Sequence, residues 1–125
     1  MSTPIERFAP TLPMPFSQAV KAGGFVFLSG QLAMDGEGRL IGDDVTTQTR
    51  VVLERIRDTL SRAGAGMGDV VRVGVWLADL ADFAAFNAEY RQHFSEGFPA
   101  RSTVEARLYA GARVEIEVQA YLGQG

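Results

Sequence analysis

Three charged residues near the end of the chain have the types and spacing to do chemistry. In "PARSTVEARLYAGARVEIEVQAY", Arg101 stands at the mouth of one strand-like run, and Glu115 and Glu117 lie within the next. A guanidinium can fork onto a carboxylate through two parallel hydrogen bonds, which fixes orientation as well as charge. A glutamate within hydrogen-bond reach of a water can direct it and move its protons. The bland alternative is that all three are solvated, Arg101 as an ordinary strand-end residue and the glutamates along one strand face. Alternation places Glu115 and Glu117 on the same side, so spacing alone does not separate them.

Composition removes most other chemistries. The chain has 125 residues and no cysteine, which excludes disulfides, thiolate nucleophiles and cysteine metal sites. Its one histidine, His93, cannot make a His-rich metal site, and as a surface or boundary residue it is not expected to be catalytic. Met14 and Met34 read as gap-filling hydrophobes. A formal net charge of -3 lacks the basic surplus usual in nucleic-acid binders, so a nucleic-acid partner is not expected. No apolar run approaches the roughly 20 residues needed to cross a bilayer, and "MSTPIERFAP" lacks the apolar stretch of a signal peptide. The expected compartment is the cytoplasm, and the expected organisation is a single domain over residues 1–125.

The elements that must position these residues follow in order. The opening segment through Phe16 holds four of the chain's 5 prolines and is expected to be extended or irregular. "SQAVKAGGFVFLSGQLAM" reads as two short strands about Gly23-Gly24, a hairpin signal. Leu40 and Ile41 form at most a short edge segment. From Asp44 to Gly64 the chain is helical, with Thr49, Val52, Leu53, Ile56, Leu60 and Ala63 in one apolar stripe. Asp44 or a following threonine caps the start, and Gly64 suits the stop. In "DVVRVGVWLAD", Val71, Val73, Val75 and Leu77 are expected on one face and Arg72, Gly74 and Trp76 on the other. "DFAAFNAEYRQHF" gives a second helix with Phe83, Phe86, Tyr90 and Phe94 along one side. Asn87 lies beside that stripe, and its amide must reach water or face a cleft.

Two last strands are expected, Ser102 to Leu108 and Arg113 to Tyr121, joined by a turn at "YAGA". The order ββαβαββ implies a two-layer α+β domain, both helices on one face of a mixed sheet. Trp76 and small apolar residues would then stand on the opposite face. Exposed apolar area of that kind implies a partner, and a closed homo-oligomer is the expected solution.

Taken together and in this order, "SQAV", "FLSGQ", the "FNAEY" helix, the "FPARS" corner and "VEIE" resemble the RidA family of imine/enamine deaminases. The resemblance spans nearly the whole chain. It implies a chorismate-mutase-like α+β fold, a homotrimer, and clefts between subunits. There the family hydrolyses 2-imino or 2-enamino acids to 2-keto acids and ammonia, without metal or cofactor. It further implies that Arg101 clamps the substrate carboxylate and Glu115 positions water, with Glu117 structural. Ser29, Gly30, Gln31 and Asn87 fall on substrate-binding positions. Three departures stand out. Phe16 replaces the family's common tyrosine and removes a hydroxyl, leaving a ring that can favour apolar substrates. Thr103 replaces a frequent cysteine. "VEARLYAGA" is one residue short, which would flip the strand's alternation unless a bulge or turn absorbs it.

Two other functions compete with deamination. In one, Arg101 holds a keto acid in a non-catalytic binding or regulatory module; retained Glu115 leans toward catalysis. The other is the ribonuclease label carried by some relatives, which the acidic composition and the lack of a histidine pair oppose.

Overall fold

The apolar stripe of the first long helix becomes one wall of the core. The computed structural model describes residues 4–123. Its strands are β1 (Glu6–Phe8), β2 (Ala19–Ala22), β3 (Phe25–Leu28), β4 (Val70–Leu77), β5 (Ala100–Glu105) and β6 (Val114–Tyr121). Its α-helices are α1 (Val45–Arg62) and α2 (Phe83–Tyr90). The fold is α+β, with the expected ββαβαββ order preceded by the short β1. That first strand pairs with β2 inside the proline-rich opening, where an extended segment was the expectation.

The glycine pair turns the β2–β3 hairpin as expected. Gly23 and Gly24 have φ of 58° and 86°, which is what a two-residue primed turn demands and what side chains resist. Helix α1 is capped by the Asp44 carboxylate, which accepts from the Thr47 amide at 2.7 Å. It buries Val52, Leu53, Ile56 and Leu60 completely. Gln48, also buried, donates to the Gly42 carbonyl and accepts from the Arg113 amide, tying the helix to the start of β6. None of the helices in the described residues is long and apolar enough to cross a membrane.

Sheet order is β1-β2-β3-β6-β4-β5. The last two strands are therefore not neighbours: β4 lies between them, antiparallel to β6 and parallel to β5. The connection expected as a "YAGA" turn is longer than a hairpin. β5 ends at Glu105, short of the expected Leu108, and a 3-10 turn at Tyr109–Gly111 follows, with Ala110 at φ 58°. Pairing of β5 with β4 runs unbroken from Arg72–Ala100 to Leu77–Glu105. The short "VEARLYAGA" is thus absorbed after the strand, and no side chain of β5 is flipped.

β4 needs one correction. A register shift between Val70 and Arg72 puts Val70 into the core and leaves Val71 45% exposed, whereas alternation placed Val71 inside. The shift is the local price of a bulge, in which two residues oppose one on the partner strand. Beyond it the expected alternation holds. Val73, Val75 and Leu77 are buried under the helices, and Arg72, Gly74 and Trp76 lie on the other face. That open face also carries Val104, Phe25, Phe27 and Tyr121, all partly exposed. α2 ends at Tyr90, and Phe83 at its start is exposed, so the expected aromatic stripe is buried only from Phe86 onward.

Candidate active site

Arg101 lies on β5 opposite Val73, on the side facing the helices. Its guanidinium rests over three rings of α2, with its carbon 5.6, 5.2 and 4.8 Å from the centres of Phe83, Phe86 and Tyr90. Such a shelf holds a weakly hydrated, planar cation without neutralising it. Among the described residues no carboxylate is within ion-pair distance of Arg101. Asn87, Tyr90, Phe98 and Pro99 line a groove with it. Thr103, two residues along the same face, has a buried hydroxyl with no hydrogen-bond partner. Arg101 and Asn87 therefore line one groove, and Thr103 stands on the same face of β5 as Arg101.

Glu115 belongs to another group. It pairs with Trp76 across the β6–β4 ladder and stands on the open face of the sheet. Burial pushes its carboxyl above the ordinary value, and the neighbouring Glu117 charge adds to the rise. Glu117 lies further along the open face, beside Gly74 and with Arg72 and Ser102 nearby. Alternation left the two glutamates equivalent; their surroundings do not.

The Ser29-Gly30-Gln31 segment meets Glu115 directly. A side chain at position 30 would begin 2.1 Å from Glu115 Oε2, so glycine is what admits the carboxylate there. Ser29 and Gln31 are more occupied than the sequence suggested. Ser29 Oγ donates to the Ser17 carbonyl at 2.6 Å. Gln31 exchanges backbone hydrogen bonds with Ile116, and its buried amide donates to the Ser29 carbonyl. Both hold Gly30 in place. Phe16 is 47% exposed in a groove with Gly30, Gln31 and Met14. Arg55 of α1 borders the same groove, donates to the Met34 carbonyl and was marked by no motif.

Gly30→Ala is expected to reduce turnover by as much as about a hundredfold, because a displacement near 1 Å suffices for that. Only the end of a flexible side chain must move, so the melting temperature should stay near that of the parent protein. Kinetics and thermal unfolding on the same sample check both halves.

His93, expected at a surface or boundary, pairs with Glu89 at 2.8 Å on the helical layer, away from both groups.

The chain thus holds two groups of candidate residues, with Arg101 and Glu115 on opposite faces of its sheet. Arg101 and Thr103 face the helices, with Asn87 on α2 beside Arg101, whereas Glu115, Gly30 and Phe16 gather elsewhere. The family reading needed Arg101 and Glu115 at one ligand, and a single chain does not bring them together.

Comparison with known proteins gives this arrangement its context. A RutC family protein of Pyrococcus abyssi is 45% identical over 109 residues, covering 86% of each chain. A 2-iminobutanoate/2-iminopropanoate deaminase of Capra hircus is 41% identical over 117 residues, 92% of this chain and 85% of that one. The crystal structure of E. coli TdcF with bound serine superposes with a TM-score of 0.84 at 35% identity, covering 91% of this chain and 93% of that one. The Endoribonuclease L-PSP family model matches residues 7–122, and with relatives of this similarity the chain belongs to that family, also called RidA/YjgF.

Proposed function

We propose that this protein hydrolyses 2-imino and 2-enamino acids to 2-keto acids and ammonia, in clefts shared between the subunits of a homotrimer. The observation that carries this reading is the placement of Arg101 and Glu115 on opposite faces of one sheet. A second protomer must supply whichever residue the first cannot, and the open face carrying Trp76, Val104, Phe25, Phe27 and Tyr121 provides a surface for it. Relatives named 2-iminobutanoate/2-iminopropanoate deaminase support the reaction, and the TdcF structure shows a small amino acid held by a protein of this fold.

In the cleft, Arg101 forks onto the substrate carboxylate and fixes the adjacent C=N carbon. Glu115, ionised, accepts a proton from water as its oxygen attacks that carbon. The resulting carbinolamine keeps both former substrates. Glu115 returns that proton to nitrogen, completing the neutral carbinolamine; it then takes the hydroxyl proton and passes it to nitrogen as the C–N bond breaks, so ammonia leaves and the oxygen becomes the keto carbonyl. An enamine first takes a proton on carbon to give the imine. Imines hydrolyse readily, so positioning and a tuned carboxylate suffice.

Subunit mixing tests the shared cleft. Arg101→Ala and Glu115→Gln proteins, each inactive alone, are co-refolded in equal amounts and assayed. Random reassortment in a closed ring restores about one quarter of the clefts, each with one intact arginine and one intact glutamate from different subunits. Recovery near that fraction is expected. No recovery in verified mixed assemblies places both residues in one protomer and overturns the reading. Wild-type protein that binds 2-keto acids yet hydrolyses no imine is instead a binding module.

A further inference from the structure

Tyr90 is 4% exposed, its polar neighbour is the Arg101 guanidinium, and its hydroxyl proton has no acceptor among the described residues. A buried donor left without an acceptor costs about 1–3 kcal/mol, so a polar group of this kind calls for an explanation. Its ring is held on both sides, with centres 5.3 Å from Phe86 and 4.8 Å from Phe94. The side chain thus cannot swing away to find water. Its charged neighbour is Arg101, whose guanidinium lies over the ring. Burial raises the phenol's pKa, and the guanidinium offsets part of that rise, so the group keeps its proton at neutral pH.

A guanidinium has no lone pair to offer, so Arg101 cannot accept the phenol's proton. The acceptor must come from outside this cluster. We propose that Tyr90 Oη–H donates to the carboxylate that Arg101 binds, making Tyr90 a further substrate-binding residue for 2-imino and 2-keto acids. Tyr90 already lines the groove with Arg101 and Asn87. Arg101 lies over the Tyr90 ring in that groove, so the carboxylate it grips takes the phenol's proton on one oxygen, the phenol acting as a third donor. A carboxylate has lone pairs enough for all three. With Phe16 carrying no hydroxyl in the other group, this phenol supplies one at the carboxylate rather than at the nitrogen.

The inference rests on the proposed carboxylate clamp, and pyruvate binding to wild-type protein tests the two separately. Tyr90→Phe retains the ring and its packing. Titration calorimetry is expected to show pyruvate bound about 10- to 100-fold more weakly, as losing one hydrogen bond to a charged group implies. Pyruvamide, with no carboxylate, should bind both proteins alike. The ligand-free variant should melt close to the parent and remain the same oligomer, because the ring packing is kept and a buried donor without an acceptor has been removed. Equal pyruvate affinity in wild type and variant overturns the role of Tyr90 and leaves the clamp standing. A variant that dissociates into smaller species assigns the hydroxyl to the interface and also overturns it. If wild-type protein binds no 2-keto acid at all, both the clamp and this inference fall. A pyruvate co-crystal with Tyr90 Oη farther than about 3.5 Å from either carboxylate oxygen is equally decisive against it.

Discussion

Arg101→Ala is expected to lower kcat/KM for 2-imino acids by roughly one and a half to three and a half orders of magnitude. Removing one partner of a desolvated, hydrogen-bonded charge pair costs about 2–5 kcal/mol, and each 1.36 kcal/mol is about tenfold. The arginine is well placed for so large an effect. It is pre-positioned on Phe83, Phe86 and Tyr90, and no carboxylate among the described residues competes for it. Lysine should rescue little, because an ammonium cannot make the planar two-bond fork and sits less well on an aromatic shelf. The fold should survive, since β5 is the edge strand and Arg101 is only half-buried. The assay couples an amino-acid oxidase to the protein and lets semicarbazide compete for the free imine. An unchanged kcat/KM removes Arg101 from the site.

Glu115→Gln is expected to cost about 10²- to 10⁴-fold in kcat, the range attributed to a positioned acid–base group. Its pH dependence carries a sign that distinguishes catalysis from structure. Burial first, and the Glu117 charge second, raise the folded-state pKa above the ordinary 4.5. A group whose pKa rises on folding stabilises the protein below its unfolded value, and that contribution is lost as pH climbs through the folded value. At neutral pH the ionised Glu115 is therefore a burden on stability. Glutamine relieves it, so the variant should melt at the same temperature or higher at pH 7, and the advantage should vanish in acid. Wild-type activity should fall on the acid side with a midpoint above 4.5, because the base must be ionised. Full activity in Glu115→Gln, or a loss of activity matched by a lower melting temperature at pH 7, contradicts the assignment.

The departures from the family pattern fall in the two separate groups of candidate residues. Phe16 borders the Glu115 group and leaves an exposed ring in its groove. Thr103 belongs to the Arg101 group, where its hydroxyl is buried and unpaired. Neither substitution removes either charged group on which the proposed reaction depends.

Much of the fold was decided locally and could be read from residue order. The 3.6-residue stripe of α1 names its buried face, Gly23-Gly24 names a turn that few other residues permit, and "FPARS" with "VEIE" singles out Arg101 and Glu115. Alternation also states that Arg101 and Thr103 share one side of β5, and Glu115 and Glu117 one side of β6. It cannot state whether those two sides are the same. That relation depends on which strand lies between them and in what register, and both follow from long-range packing. Only the placement of β4 between β5 and β6 reveals that arginine and glutamate face opposite ways. The bulge at Val71 and the shelf beneath Arg101 are tertiary for the same reason. One comes from pairing with a distant strand, the other from a helix packed across an edge strand, and neither partner is visible in the local sequence.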